Sequence, residues 1–215
     1  MKKFAVILSG CGVYDGAEIH EAVMTLYSIA KEGAAYQCFA PDIPQHHVVN
    51  HLSGKPVAAE RNVLEESARI ARGNIKALDE FNPREFDALI FPGGFGAAKN
   101  LSTYAFDGAG CSVNPLVAEA VREMVSLQKP VGALCIAPVI LAKVLGDVEL
   151  TIGSTPGTIK DLEQMGARHT LTTHGQVVVD KRHKVFTTPC YMLDAGILDI
   201  AEGAGNIVKE MMKIM

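Results

Sequence analysis

The sequence predicts an α/β protein built on a mostly parallel sheet, and two observations carry that prediction. Short continuous apolar runs alternate with stretches whose apolar residues recur at helical spacing, the pattern of buried strands covered by helices. Several runs stop at glycine or proline, as Phe86–Phe91 does at Pro92-Gly93-Gly94, where a strand gives way to a turn. At 215 residues and 48% hydrophobic, the chain is long enough to bury a large core. It carries no repeat, no low-complexity segment and no linker-like composition, so one domain over residues 1–215 is expected.

Phe4–Leu8 reads as the first strand. Glu18–Lys31 follows as a helix, with Ile19, Ala22, Val23, Leu26, Ile29 and Ala30 at helical spacing and Gly33 as its stop. Tyr36–Ala40 is the second strand, ended by Pro41, and Asp42–Pro56 an irregular loop with three histidines. Arg61–Arg72 reads as helix and Phe86–Phe91 as the third strand. Asn114-Pro115 is a helix start, a cap followed by a proline whose missing N–H costs nothing there. Val131–Leu134 is strand four, Ile136–Leu145 the helix behind it, and Val148–Ile152 strand five. Thr158–Met165 forms a short helix, Val177–Asp180 and Lys184–Thr187 a hairpin, and Leu193–Met212 a closing helix.

Composition excludes several classes. The net charge of −4 and the lack of any basic run argue against a nucleic-acid groove. No segment approaches the ~20 apolar residues of a membrane span. The apolar run after Met1-Lys2-Lys3 lasts five residues, too short for a signal peptide. Five cysteines, Cys11, Cys38, Cys111, Cys135 and Cys190, contain no CxxC pair, which fits reduced thiols rather than a disulfide framework or zinc site. A cytoplasmic protein is the expectation.

In an open parallel sheet, ligands bind beyond the carboxyl ends of the strands. Three loops there are unusual. In Val131-Gly132-Ala133-Leu134-Cys135-Ile136-Ala137-Pro138 a strand meets a helix with a thiol at the junction. This resembles a nucleophile elbow, without the usual G-x-S-x-G spacing. Amides at a helix start favour thiolate over thiol; an inert buried thiol is the alternative. Pro92-Gly93-Gly94 exposes N–H groups that can hold an oxyanion beside Cys135, or is simply a tight turn. Ser9-Gly10-Cys11-Gly12-Val13-Tyr14-Asp15-Gly16 is one residue too long between glycines for a dinucleotide fingerprint, so no cofactor is expected. Glu21 and His20 open the next helix; on these residues alone a solvated Glu and a capping or packing His are the default reading.

Gly16-Ala17-Glu18-Ile19-His20-Glu21, Phe91-Pro92-Gly93-Gly94 with Ala97 and Asn100-Leu101-Ser102, and Ala133-Leu134-Cys135-Ile136-Ala137-Pro138 together resemble the DJ-1/PfpI superfamily. The first loop through Glu21, Arg61-Asn62-Val63-Leu64 and Gly93 to Leu101 are similar to its ElbB branch, the bacterial enhancing-lycopene-biosynthesis proteins of isoprenoid biosynthesis and their mitochondrial relatives. The resemblance runs from residue 4 to about 190 and implies a flavodoxin-like, class I glutamine-amidotransferase-like three-layer sandwich, usually a homodimer. It implies Cys135 as nucleophile, Glu21 as partner acid, and N–H groups near Gly94 and Ile136 as oxyanion donors. Gly93 and Asn100 of the same motif join these as candidate substrate-binding residues. The implied activity is cofactor-independent conversion of glyoxal or methylglyoxal, small dicarbonyl substrates, to 2-hydroxy acids, also interpreted as deglycation.

An ionised carboxylate beside Cys135 would raise its pKa, so the expectation is a protonated Glu21 donating to a thiolate at neutral pH. No His follows Cys135 directly; His20 and His174 are the candidates for a supporting base, and without one catalysis should be slow. A glutamine-amidotransferase reading lacks the required triad, and a redox sensor or partner-binding protein using the same thiol is the alternative of another class. His46, His47 and His51 read as solvated loop residues rather than a metal site. Arg61, Arg69 and Arg72 can line an anion pocket or simply face solvent.

Overall fold

The computed structural model describes residues 1–215. Eleven strands occur in chain order: β1 (Lys3–Ile7), β2 (Ala35–Ala40), β3 (Val49–Asn50), β4 (Lys55–Pro56), β5 (Ile75–Ala77), β6 (Ala88–Phe91), β7 (Val131–Leu134), β8 (Glu149–Leu150), β9 (Arg168–His169), β10 (Val178–Asp180) and β11 (Val185–Thr188). The helices are α1 (Ile19–Lys31), α2 (Val63–Ile70), α3 (Phe95–Lys99), α4 (Tyr104–Asp107), α5 (Pro115–Ser126), α6 (Pro138–Leu145), α7 (Pro156–Gln164) and α8 (Ile197–Met212). Seven strands form the central sheet in the order β10-β11-β7-β6-β1-β2-β5. Every neighbouring pair is parallel except β10–β11. None of the helices is long and apolar enough to cross a membrane.

Side chains alternate across a strand, so each apolar run supplies two cores. Phe4, Val6 and Leu8 of the first run, with Ala88, Ile90 and Phe186, pack under α1 and α8 through Leu26, Ile29, Ile200, Ile207 and Met211. Ala5 and Ile7, with Leu89, Phe91, Val131 and Val185, pack under α5, α6 and α7 through Val121, Met124, Ile140 and Leu162. The result is three layers. Both faces being covered explains why the strands read as unbroken apolar runs.

The expected elements recur with informative differences. The fifth strand does not enter the central sheet. Glu149–Leu150 pairs with Arg168–His169 instead, and the segment docks beside the sheet by side-chain bonds: Glu149 N–H to Asp180 Oδ2 at 2.8 Å and Thr151 N–H to Thr187 Oγ1 at 2.9 Å. Its place beside β7 is taken by β11, with Thr188 opposite Leu134. The edge strand β5, the β3–β4 ribbon inside the histidine loop and helix α3 had no separate prediction; all are five residues or shorter, below what periodicity resolves. α8 starts at Ile197 rather than Leu193, because Cys190–Met192 forms a 3₁₀ turn and Asp199 Oδ2 accepts the Gly196 N–H at 2.7 Å. α6 starts at Pro138 rather than Ile136, because Cys135 turns the chain with φ of 58°.

The carboxyl ends of β1, β6, β7 and β11 lie side by side. They bring together Ser9–Gly16, Pro92–Gly94, Cys135–Ala137 and Pro189–Met192.

Candidate active site

Cys135 stands where β7 ends, in the left-handed conformation at φ 58°. For a residue with a Cβ that conformation costs about 1–2 kcal/mol and persists only where surroundings enforce it. Here the enforcement is visible. Cys135 N–H donates to Thr188 O at 3.0 Å, and Ala137 N–H returns to Leu134 O at 3.0 Å, closing the turn. The residue is 7% exposed and lines a cavity of about 400 Å³.

Glu21 approaches the sulfur from α1. Glu18 caps that helix, its Oε2 accepting the Glu21 N–H at 2.7 Å, which fixes the first turn. The Glu21 side chain is fully buried. Its Oε2 accepts the Gly93 N–H at 3.0 Å and its Oε1 accepts the Tyr191 N–H at 3.2 Å. Gly93 is the contact point of the pair. A Cβ placed on it would lie 2.6 Å from Glu21 Oε2, 3.0 Å from Cys135 Sγ and 2.4 Å from Cys135 Cβ. Only glycine lets the carboxyl and the sulfur close on the same spot.

Gly94 is equally constrained, at φ 96°, where a Cβ would lie 2.3 Å from Glu18 N. Neither Gly94 N–H nor Ile136 N–H is taken by an oxygen of the protein. Both residues line the cavity beside Cys135, and the Gly94 N–H favours negative charge on its sulfur. These two amides are the available oxyanion donors. Gly93 N–H is not one, being committed to Glu21.

Burial, then the charge of Glu18, pushes the Glu21 carboxyl up to about 8. It therefore holds its proton at neutral pH, as the sequence led one to expect. The sulfur differs from expectation. Burial first, then Glu21 and Cys190, push the Cys135 thiol well up, and Gly94 N–H pulls the other way. The expected resting thiolate is corrected accordingly. The reason is local: Ala137 N–H is spent on Leu134 O and Pro138 has no N–H, so the start of α6 offers the sulfur few free amides.

Asn100, a candidate ligand from the sequence, does not line the cavity. Its Nδ2 donates to Ser9 O and Asp15 O, each at 2.9 Å, and its Oδ1 accepts the His46 N–H at 3.0 Å. It ties loops together. His174 is exposed and off the cavity. Arg61 and Arg69 both pair with Glu66, and Arg72 sits in the exposed turn after α2. His46 and His47 pack against Phe106, while His51 Nε2 accepts the Tyr14 N–H at 3.2 Å.

The rest of the cavity wall is Val13, Phe95, Tyr104, Thr155, Thr158, Tyr191 and Met192, none singled out by sequence. Tyr191 follows the carboxyl end of β11, whose parallel pairing with β7 brings it to the cavity. Tyr104 OH donates to Asp161 Oδ2 at 2.8 Å, and burial with that bond raises Tyr104 to about 12.

The chain has close relatives. The DJ-1/PfpI family profile matches residues 13–191. A human protein named glutamine amidotransferase-like class 1 domain-containing protein 3, mitochondrial, is 46% identical over 222 residues, covering 99% of this chain and 83% of that one. The ES1 protein, mitochondrial, of Danio rerio is 36% identical over 229 residues, covering 98% and 85%. A crystal structure of an isoprenoid biosynthesis protein with amidotransferase-like domain from Ehrlichia chaffeensis matches with a TM-score of 0.92 at 35% identity, covering 99% of this chain and all of that one. The expected cytoplasmic location does not stand: relatives this similar are named as mitochondrial proteins. Reduced thiols, on which that expectation leaned, fit any reducing compartment.

Proposed function

The chain belongs to the DJ-1/PfpI family, with its flavodoxin-like, class I glutamine amidotransferase-like fold, and from that premise we propose a cofactor-independent glyoxalase-like enzyme. Its substrates are glyoxal, methylglyoxal or their early adducts, and its products 2-hydroxy acids. The observation that carries the reading is the meeting of a buried, protonated carboxyl and a thiol across Gly93, within a cavity bearing two amides that no oxygen of the protein takes.

The working state is the pair with one proton. Above about pH 8 the carboxyl loses its proton while the buried thiol keeps its own; passing that remaining proton from sulfur to Glu21 makes the reactive thiolate, the less populated arrangement of the pair. The thiolate forms a C–S bond to the aldehyde carbon. The carbonyl pair moves to oxygen, facing Gly94 and Ile136 N–H, and Glu21 delivers its proton there. Glu21, now a carboxylate, takes the C–H proton of that carbon as a carbon–carbon double bond forms. It returns that proton to the neighbouring carbon, while the hydroxyl proton passes from the first oxygen to the second. Water then cleaves the resulting thioester, freeing the hydroxy acid and the thiol.

Two amides and one acid, with no metal or cofactor assigned a step, make this a modest catalyst. A homodimer is part of the proposal, as the family resemblance implies. The test is hydroxy-acid production from glyoxal by the wild-type protein against Cys135→Ala. Turnover that depends on Cys135 supports the reading; its absence in the wild type, or its persistence in the variant, removes it.

A further inference from the structure

Moving a proton between two carbons leaves a second task, the transfer of a hydroxyl proton from one substrate oxygen to the other. Glu21 cannot do both at once, since it holds the carbon proton at that moment. A second group lining the cavity and able to exchange protons can carry that transfer while Glu21 is occupied.

Tyr191 meets those conditions. It lines the cavity with Cys135, Gly94 and Ile136. Its own backbone N–H holds Glu21 Oε1 at 3.2 Å, so its position is fixed relative to the acid. Its hydroxyl lies 2.8 Å from Nδ1 of His20, which is exposed. Glu18 Oε1 stands 3.9 Å from the same nitrogen. Tyr191 thus joins the cavity wall to the exposed imidazole of His20.

The geometry points to Tyr191 as a further catalytic residue, carrying the oxygen-to-oxygen proton, with His20 as a positioning residue acting through it. This rests on the oxoaldehyde reading above. As Glu21 takes the carbon proton, the second substrate oxygen takes the Tyr191 proton, and Tyr191 is replenished from His20 Nδ1. In the return half the first hydroxyl gives its proton to Tyr191, whose own goes back to His20. Nothing is gained or lost. The same pair answers the want of a His beside Cys135 in the sequence: the base comes from α1, one residue before Glu21.

The test uses Tyr191→Phe, His20→Ala and the double variant, with turnover of methylglyoxal and site-resolved alkylation of Cys135 measured for each. Tyr191→Phe keeps the ring and the amide on Glu21. Expected is a fall in kcat of about 10²-fold, with Cys135 alkylation unchanged. His20→Ala should fall about 10-fold and the double variant should be no worse than Tyr191→Phe, as members of one relay are non-additive. Added imidazole, which can reach the exposed His20 position, should restore His20→Ala but not Tyr191→Phe. Turnover of Tyr191→Phe within about twofold of wild type, or an alkylation rate that falls in step with kcat, overturns the assignment. A wild-type protein that makes no hydroxy acid removes the oxoaldehyde reading and the relay together. A wild type that does, matched by Tyr191→Phe, removes the relay alone.

Discussion

Gly93 donates its N–H to Glu21 Oε2 at 3.0 Å, and that same oxygen lies 2.6 Å from where a Gly93 side chain would begin. One residue thus orients the acid with its backbone and admits it by lacking a Cβ.

Gly93→Ala should therefore separate the two reacting groups. The added methyl meets Cys135 Cβ at 2.4 Å, and neither the β7 turn nor α1 can yield freely. Overpacking of this kind costs about 1–3 kcal/mol. Thermal unfolding should register that loss, and hydroxy-acid formation should fall at least as far as in Glu21→Gln. A variant of wild-type activity would show that the close approach is incidental.

Glu21 also makes stability depend on pH, and the sign is fixed by its shift. Its folded-state value of about 8 lies above the ordinary 4.5, so between those values the folded protein binds the extra proton. Stability is then fully present below about pH 4.5 as far as this group is concerned and is lost as pH rises through 8. Asp180, held low by the Glu149 and His183 N–H groups, acts oppositely and only in acid, below the usual aspartate range. Chemical denaturation at pH 5, 6.5 and 8 should show wild-type stability falling by a few kcal/mol. In Glu21→Gln that slope should flatten. An equal slope in both would place the titrating group elsewhere.

Asn100→Ala should report on folding rather than substrate affinity. It strands Ser9 O, Asp15 O and His46 N–H together. At about 1–3 kcal/mol for a buried group left unpaired, the loss should be about 2–4 kcal/mol after partial relaxation. KM should move less than stability. A KM increase of tenfold or more in a protein of unchanged stability would restore Asn100 as a substrate ligand.

The cavity wall contains no Lys, Arg or His. Taking an anionic substituent out of water there has no compensating charge, so neutral oxoaldehydes should be preferred. Comparing kcat/KM for methylglyoxal with that for an oxoaldehyde bearing a carboxylate should give at least about a tenfold preference for the former. The reverse preference would mean a cation reaches the cavity from outside the ten residues that line it.

Much of this was legible in the sequence because the signals were local. The runs at Phe4–Leu8 and Val131–Leu134 are buried on both faces, so their composition alone marks them as central strands. Cys135 and Gly94 were findable from the strand-to-turn junctions that carry them. What stayed hidden depended on pairing. Val148–Ile152 has a strand's composition but is held by Asp180 and Thr187 side chains, which no periodicity reports. Tyr191 reaches the cavity only because β11 lies parallel to β7, a register invisible in either run. The ionisation of Cys135 failed for a related reason: a helix start was visible, but not that Ala137 N–H turns back to Leu134 O.

The sharing of a proton between Cys135 and Glu21 is tested most directly by the alkylation rate of Cys135 against pH, resolved from the other four thiols by peptide mass spectrometry. The predicted result for the wild type is a rise with its midpoint near pH 8, and for Glu21→Gln no inflection in that range and a slower rate at pH 8. Superimposable profiles for the two proteins, or a Cys135 that stays unreactive through pH 9 in both, would contradict it.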